Sequence, residues 1–205
     1  MKREGIKNLI IDFGGVLIDL DRQRCVDNFK KIGFQKVDEF IDPYRQQGFF
    51  MEFEKGLITA SDFRNAIREQ TDKLITDEQI DAAWNTFLVG IPTSKLDLLL
   101  KLREHYVVYL LSNTNVIHWE WACENAFSYK GFGVEDYFEK MFISFELHEA
   151  KPEVEIFKIL LEDTGIVPEE TLFIDDASAN CLTAQSLGIT TYTPKAQEDW
   201  SHLFK

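Results

Sequence analysis

Positive charge is what this chain has least of. Its 205 residues carry 22 Lys and Arg against 35 Asp and Glu, a formal net charge of −13. Such a surface is poorly suited to neutralising a nucleic-acid backbone, so no nucleic-acid partner is expected. An acidic protein that handles an anionic ligand needs a local positive device: a lysine, a helix N-terminus or a metal ion. Cysteine is also scarce. Cys25, Cys123 and Cys181 lie far apart and form no CxxC pair, which argues against a disulfide framework or a structural zinc site. They read as reduced thiols in a cytoplasmic protein. The four histidines, His105, His118, His148 and His202, are scattered without metal spacing, although His118 and His148 fall near the loops discussed below. Long apolar runs are missing too. Stretches such as "YVVYLL" are far too short to span a bilayer, so no membrane partner is expected. The opening "MKREGIKNLIID" ends its apolar run in an acid and offers no small-residue cleavage site, so it does not read as a signal peptide.

What the chain does have is apolar bulk. Apolar residues make up 45%, with 17 Phe and 4 Trp, enough for one sizeable core or a core plus a small insert. Periodicity supplies the map. "NLIID" is a short apolar strand. From 21 to about 88 no strand is expected; "DRQRCVDNFKKIGF", "DPYRQQGFFMEFEKG", "TASDFRNAIREQ" and "TDEQIDAAWNTFL" read as helices. Thr59 and Thr76 stand as N-caps ahead of the last two. "VGIP" reads as a break. Strands and helices then alternate: helix 93–106, strand "VVYLL", helix "NVIHWEWACENAF", strand "MFIS", helix from Lys151 to Gly165, strand "TLFID", helix "SANCLTAQSLG" and strand "ITTYT". This pattern predicts an α/β fold with a parallel sheet covered on both faces. The helical block is expected to be a small inserted bundle, giving a core of 1–20 and 92–205 and an insert of 21–91.

Ligands of open parallel sheets bind beyond the carboxyl ends of the strands. There the sequence delivers Asp12 after the first strand, Ser112 and Asn113 after the next, and Asp175 and Asp176 after a later one, with Lys151 following "MFIS". Each has an ordinary reading as a turn former, a helix cap or a solvated lysine. Their convergence on one sheet edge is what asks for chemistry. Three acids in one cleft raise one another's pKa unless a cation joins them. A hard divalent ion, Mg²⁺ above all, would do so. Lys151 adds positive charge and Ser112 a hydroxyl for a phosphate oxygen. The glycine pair, Gly14 and Gly15, allows close backbone approach. The chemistry suggested is nucleophilic attack by a carboxylate on phosphorus.

These residues, in this order, resemble the four motifs of the haloacid dehalogenase superfamily: "DFGGVL", "LLSNTN", "KPEVEIF" and "FIDDASAN", with a helical insert between the first two that looks like that family's first cap type. The resemblance implies a Rossmann-like core and a phosphatase acting on a small phosphorylated metabolite through an aspartyl-phosphate. Carried over position by position, Asp12 is the nucleophile and a metal ligand, Gly14 gives the metal its carbonyl, and Asp176 is the further ligand. Ser112, Asn113 and Lys151 hold the phosphate, and Asp175 stands beside the metal acid as a catalytic candidate. Oligomeric state, monomer or homodimer, is left open.

One position departs from the pattern. Where most phosphatases of the family carry a second aspartate, this chain has Gly14, which keeps a carbonyl but has no acid to protonate the leaving group. Loss of such an acid costs about 10²–10⁴-fold. The subgroup that includes α-D-glucose-1-phosphate phosphatases shares this glycine, which points to a sugar 1-phosphate or another ester with a good leaving group. Otherwise Asp175, Asp19 or a residue of the inserted helices supplies the proton, and His118 and His148 are further candidates. Tyr44, Arg45, Gln46 and Gln47 are candidates for reading the rest of the substrate. Two alternatives stay open: a 2-haloacid dehalogenase, which needs no metal, and a non-catalytic protein that binds a phosphorylated metabolite on the same fold.

Overall fold

In the computed structural model, which describes residues 3–42, 46–195 and 197–204, the chain runs through β1 (Asn8–Ile11), β2 (Asp19–Leu20), α1 (Arg22–Ile32), α2 (Phe49–Glu54), α3 (Ala60–Glu69), α4 (Asp77–Asn85) and β3 (Leu88–Gly90). It continues through α5 (Thr93–Arg103), β4 (Val107–Ser112), α6 (Val116–Trp121), α7 (Val134–Tyr137), β5 (Lys140–Ile143), α8 (Ser144–Leu147), α9 (Val154–Thr164), β6 (Thr171–Ile174), α10 (Ser178–Ser186) and β7 (Thr190–Tyr192).

Five strands form one parallel sheet in the order β5-β4-β1-β6-β7. Successive strand residues point to opposite faces, and both faces are apolar. Ile10, Leu111 and Phe173 pack with Ile156, Phe157 and Leu160 of α9 and Ala184 of α10. Leu9, Ile11, Val108, Leu110, Leu172 and Ile174 pack on the other side with Leu96 and Leu99 of α5 and Ile117 of α6. Such continuous apolar strands are what a sheet covered on both faces requires. The chain order reverses at the central β1, so the ends of β1, β4 and β6 form the switch-point crevice.

The inserted helices follow local rules. α1 is capped by Asp21, whose side chain accepts from the Arg24 amide, and ends at Gly33 with φ 116°. α3 and α4 open with capping boxes, Thr59 with Asp62 and Thr76 with Gln79, as the sequence predicts. Their apolar sides meet in an aromatic cluster where the Phe50 ring lies 4.9 Å from Phe63 and 5.1 Å from Trp84. This cluster is continuous with the apolar layer on the second face of the sheet.

The structure refines the sequence map in several places. The "VGIP" break is partly a strand: β3 pairs antiparallel with β2, a ribbon too short for periodicity to reveal. The helix expected over 42–56 is confined to α2, because Gly48 at φ 55° stands as its N-cap; Tyr44 and Arg45 lie outside the described residues. The helix after Lys151 begins only at Val154, and α6 runs on as a π-helical turn over Ala122–Ala126. Among the described residues no helix is long and apolar enough to cross a membrane.

Phe50 is fully buried among these rings. Phe50→Ala is expected to cost about 3–5 kcal/mol, read from the shift of the urea unfolding midpoint.

Candidate active site

Asp12 follows β1 directly, its amide donating to the Ile174 carbonyl at 2.9 Å. Asn113 and Thr114 follow β4, and Asp175 and Asp176 follow β6. Lys151, from the turn ahead of α9, is brought in by Asn113. The Asn113 amide donates to the Lys151 carbonyl and its side-chain oxygen accepts from the Lys151 N–H, both at 2.9 Å. Asn113's side chain is thereby committed to the lysine's backbone. Only its main chain remains for a ligand.

An ammonium has three hydrogens to give, and Lys151 uses them all. Nζ lies 2.7 Å from Asp12 Oδ1, 2.7 Å from Asp175 Oδ2 and 2.8 Å from the Leu111 carbonyl. Burial works against this charge, but Asp12 and Asp175 outweigh it and hold the ammonium above its ordinary pKa. Asp175 is itself completely buried. Its Oδ1 also accepts from the Ala177 amide at 2.8 Å, and Asn180 Nδ2 reaches both of its oxygens at 3.0 Å. Asp175 therefore sits beneath the cleft, does not line it, and has its oxygens occupied. It holds Lys151 and is badly placed to hand on a proton. Asp12 Oδ1 also accepts from the Phe13 amide at 2.7 Å. Among the described residues no group donates to Oδ2, the oxygen left for a ligand.

One oxygen each of Asp12, Asp175 and Asp176 lies within 4.8 Å of the others. Burial, with Asp175 adding to it, pushes Asp176 up to about 6. Burial likewise raises Asp12, against the pull of Lys151 and with the help of Asp175 and Asp176. Carboxylates crowded at a raised pKa form a hard-oxygen set that a divalent cation relieves. The glycine pair divides its work. Gly15 has φ 73°, and a Cβ there would stand 2.2 Å from Asp176 Oδ2, so the carboxylate occupies space that only glycine leaves. A Cβ on Gly14 would meet only Leu20 Cδ1, at 3.3 Å. Nothing steric demands glycine at 14.

The cleft encloses about 70 Å³ and is lined by Asp12, Gly14, Asn113, Lys151 and Asp176 on the sheet side. Gln46, Glu54, Phe87, Leu88 and His118 line it as well. Ser112 is fully buried at the end of β4, and its hydroxyl donates to the Asn113 carbonyl at a long 3.3 Å. It lies behind the wall that Asn113 and Thr114 form. Gln47 is exposed and does not line the cleft. Gln46 does, though its side chain pairs with the backbone of Asp42.

The other proton candidates are set aside by geometry. Burial pushes His118 down to about 3, the hydrogen bond to Trp84 offsetting this only in part. Its neutral ring stacks on Trp84 at 4.1 Å, and Nε2 lies 3.1 Å from the Trp84 carbonyl. Its one N–H is therefore engaged there. His148 is exposed outside the cleft, with Nδ1 3.0 Å from the Lys55 carbonyl. Asp19 lies outside it as well, with Oδ1 buried and unpartnered. The residue that sequence reasoning missed is Glu54 at the end of α2, which lines the cleft together with Asp12. Its spacing held a clue: it stands one helical turn after the buried Phe50, an acid in register with a core position.

With this geometry established, known proteins provide a comparison. Residues 6–188 match the haloacid dehalogenase-like hydrolase family. The chain belongs to that family. A D-ribitol-5-phosphate phosphatase from Bacteroides thetaiotaomicron is 40% identical over 195 residues, 95% of each chain. A haloacid dehalogenase family enzyme from the same organism, crystallised with magnesium and inorganic phosphate, is 66% identical, with a TM-score of 0.93 over 98% of this chain and 100% of that one. Its Asp12Ala mutant, also with magnesium and phosphate, superposes with a TM-score of 0.95 at 65% identity, over 98% and 99%. A predicted hydrolase of this kind from Porphyromonas gingivalis is 37% identical, with a TM-score of 0.90 over 97% and 96%. This haloacid dehalogenase-like hydrolase is an enzyme, and its parallel sheet is the fold of the family.

A side chain at Gly15 must collide with Asp176 at a backbone conformation that L-residues avoid. Gly15→Ala is expected to cost about 1–3 kcal/mol, and Gly14→Ala under about 1 kcal/mol, compared by thermal melting of the two variants.

Proposed function

We propose that this hydrolase is a Mg²⁺-dependent phosphatase that removes the phosphate from a small sugar or polyol phosphate through an aspartyl-phosphate, with D-ribitol 5-phosphate the first compound to test. The observation that carries this reading is the convergence of Asp12, Asp176 and Lys151 at the sheet's switch point. The relatives supply the substrate class and the metal.

Asp12 Oδ2 attacks phosphorus while Oδ1 stays hydrogen-bonded to Lys151 and the Phe13 amide, which keeps the nucleophile oriented. Lys151 neutralises phosphoryl charge, and Asp175 with Asn113 acts as its positioning support. Phosphate oxygens are received by the main chain of Asn113 in the cleft wall, which Ser112 backs from behind with its hydroxyl on the Asn113 carbonyl. Asp12, Asp176 and the Gly14 carbonyl would hold the metal, which when bound would neutralise charge among the carboxylates and the phosphate. Water then hydrolyses the aspartyl-phosphate and restores Asp12.

Residues 21–91 act as a cap over a core of 1–20 and 92–205, with the β2–β3 ribbon as the double crossing. A buried water takes about 10–15 Å³, so the 70 Å³ beside the acids has room for a phosphate group. The dehalogenase alternative finds less support, since attack on carbon has no use for Asp176, which is built into the acid cluster at the expense of any side chain at Gly15. A protein that only binds phosphate would not need a nucleophile held on two donors. The sugar 1-phosphate expected from the missing acid gives way to a 5-phosphate, the ester named for the 40%-identical relative.

Chelation with EDTA is expected to abolish phosphate release from D-ribitol 5-phosphate, and Asp12→Asn to lower turnover by on the order of 10³-fold or more with the fold intact by circular dichroism. Turnover that persists in chelator or in the variant overturns the reading. The pKa of Asp176 is raised from 3.8 to about 6 and that of Glu54 from 4.5 to about 8. Groups raised in this way lend the fold stability that is complete below pH 4 and is lost as pH climbs through 6 to 8. The metal-free protein should therefore melt lower at pH 8 than at pH 5, and Mg²⁺ should raise the midpoint more at pH 8. At 100 times its dissociation constant Mg²⁺ adds about 2.7 kcal/mol.

A further inference from the structure

A 5-phosphate ester leaves as a primary alkoxide, a poor leaving group that must be protonated as the P–O bond breaks. At position 14, beside the nucleophile, there is no acid to do it. The described candidates on the sheet side are engaged: Asp175 through both oxygens, His118 on the Trp84 carbonyl, and Lys151 on three acceptors. Gln46 lines the cleft but carries no titratable group.

Resting on the phosphatase reading above, we propose that Glu54, delivered by α2 from the inserted helices, is the general acid and base of this enzyme. Three observations carry the assignment. Glu54 lines the same cleft as Asp12, Lys151 and Asp176. Among the described residues no side chain donates to its carboxyl, which leaves it open to a ligand. The chain around it is clamped to the sheet-side layer at three successive residues. The Glu54 carbonyl accepts from the Ser144 hydroxyl at 2.5 Å, and Ser144 in turn accepts from the Thr114 amide in the cleft wall at 2.9 Å. Lys55 pairs with Glu153 at 2.7 Å and takes a hydrogen bond from His148 on its carbonyl. Gly56, at φ 62°, lies so close to Phe145 that a Cβ would stand 2.1 Å from its carbonyl oxygen. Such a dock fixes where the carboxyl stands, as catalysis by proton transfer requires.

The charged groups that face Glu54 come from two sides. Burial favours its protonated form most, Asp12 reinforces this and Lys151 opposes it, for a value of about 8. His118 and Asp176 line the same cleft. In the first half-reaction Asp12 bonds to phosphorus, the ester P–O bond breaks, and the Glu54 proton passes to the departing oxygen to give the alcohol. In the second, the Glu54 carboxylate takes a proton from water as that water bonds to phosphorus. Inorganic phosphate leaves, Asp12 returns as a carboxylate and Glu54 as an acid.

The test compares D-ribitol 5-phosphate with 4-nitrophenyl phosphate, whose leaving group needs no proton, for the wild type and Glu54→Gln with Mg²⁺. The variant should lose about 10²–10⁴-fold on the polyol phosphate. It should keep its first-turnover rate on the aryl ester, seen as a burst of nitrophenolate equal to the enzyme, followed by slow turnover because the base is gone. Binding of inorganic phosphate, followed by calorimetry, should be unchanged within a few-fold. Equal losses in the first turnover of both esters, no loss on the polyol ester, or lost phosphate binding would each overturn the assignment. A wild type that turns over neither ester fails at the phosphatase reading itself, and the assignment falls with it; this is distinguishable because no variant is involved.

Discussion

The site depends on one buried cation. Lys151 ties β1 to β6 by bridging Asp12 and Asp175, and ties both to β4 through the Leu111 carbonyl. A buried ammonium without partners is costly enough that it would give up its proton. Here the acids it neutralises are also the groups that crowd at the strand ends. Neither side of the pair is tolerable alone, and so the geometry of one fixes the geometry of the other. Removing one member of such a pair leaves an uncompensated charge, which is why Asn113 and Asn180 have their side chains committed to holding it in register.

The lysine settles only part of the charge. With Asp12, Asp175 and Asp176 within reach of one another, among the described residues one cation faces three carboxylates. The imbalance is a structural demand for a second positive charge on the open side of the cleft, where a divalent ion and a phosphate group belong. The site is thus poised at some expense to its own stability, and ligation relieves what folding leaves unfavourable. Gly15 belongs to this arrangement, because it clears the space in which Asp176 turns toward Asp12.

Much of this could be read before the structure. The strand ends placed Asp12, Asn113, Asp175 and Asp176 on one edge because parallel strands with apolar residues on both faces leave their chemistry nowhere else to go. Thr59 and Thr76 announced the starts of two helices because capping is local. What stayed hidden is non-local. The β2–β3 ribbon pairs residues some 70 apart with two or three residues a side, below the reach of any periodicity. That Ser112 and Asp175 lie behind the cleft wall and not on it depends on side-chain hydrogen bonds, which spacing does not encode. Glu54 gave little sign of being a site residue because the contacts that dock it, its own carbonyl on Ser144 and Lys55 on Glu153, span 90 and 98 residues.

Moving an acid from position 14 to α2 changes when it is available. An aspartate two residues after the nucleophile is present whether the helices are docked or not. A glutamate on α2 joins Asp12 only while residues 54–56 rest on Ser144, Phe145 and Glu153. On the proposed reading, a closure of this kind would couple proton transfer to the expulsion of water and to a substrate that fits beneath the inserted helices. It would also tie the fate of the proposed aspartyl-phosphate to the inserted helices, since the carboxylate that activates water is absent when they are away. An uncapped phosphoenzyme would wait, and a ligand too large to let α2 dock would bind without being protonated. Gly14 is then neither a defect nor a sign of an easy leaving group. On the proposed reading it is the empty half of an arrangement whose other half arrives with the inserted helices, and selectivity would follow from requiring both.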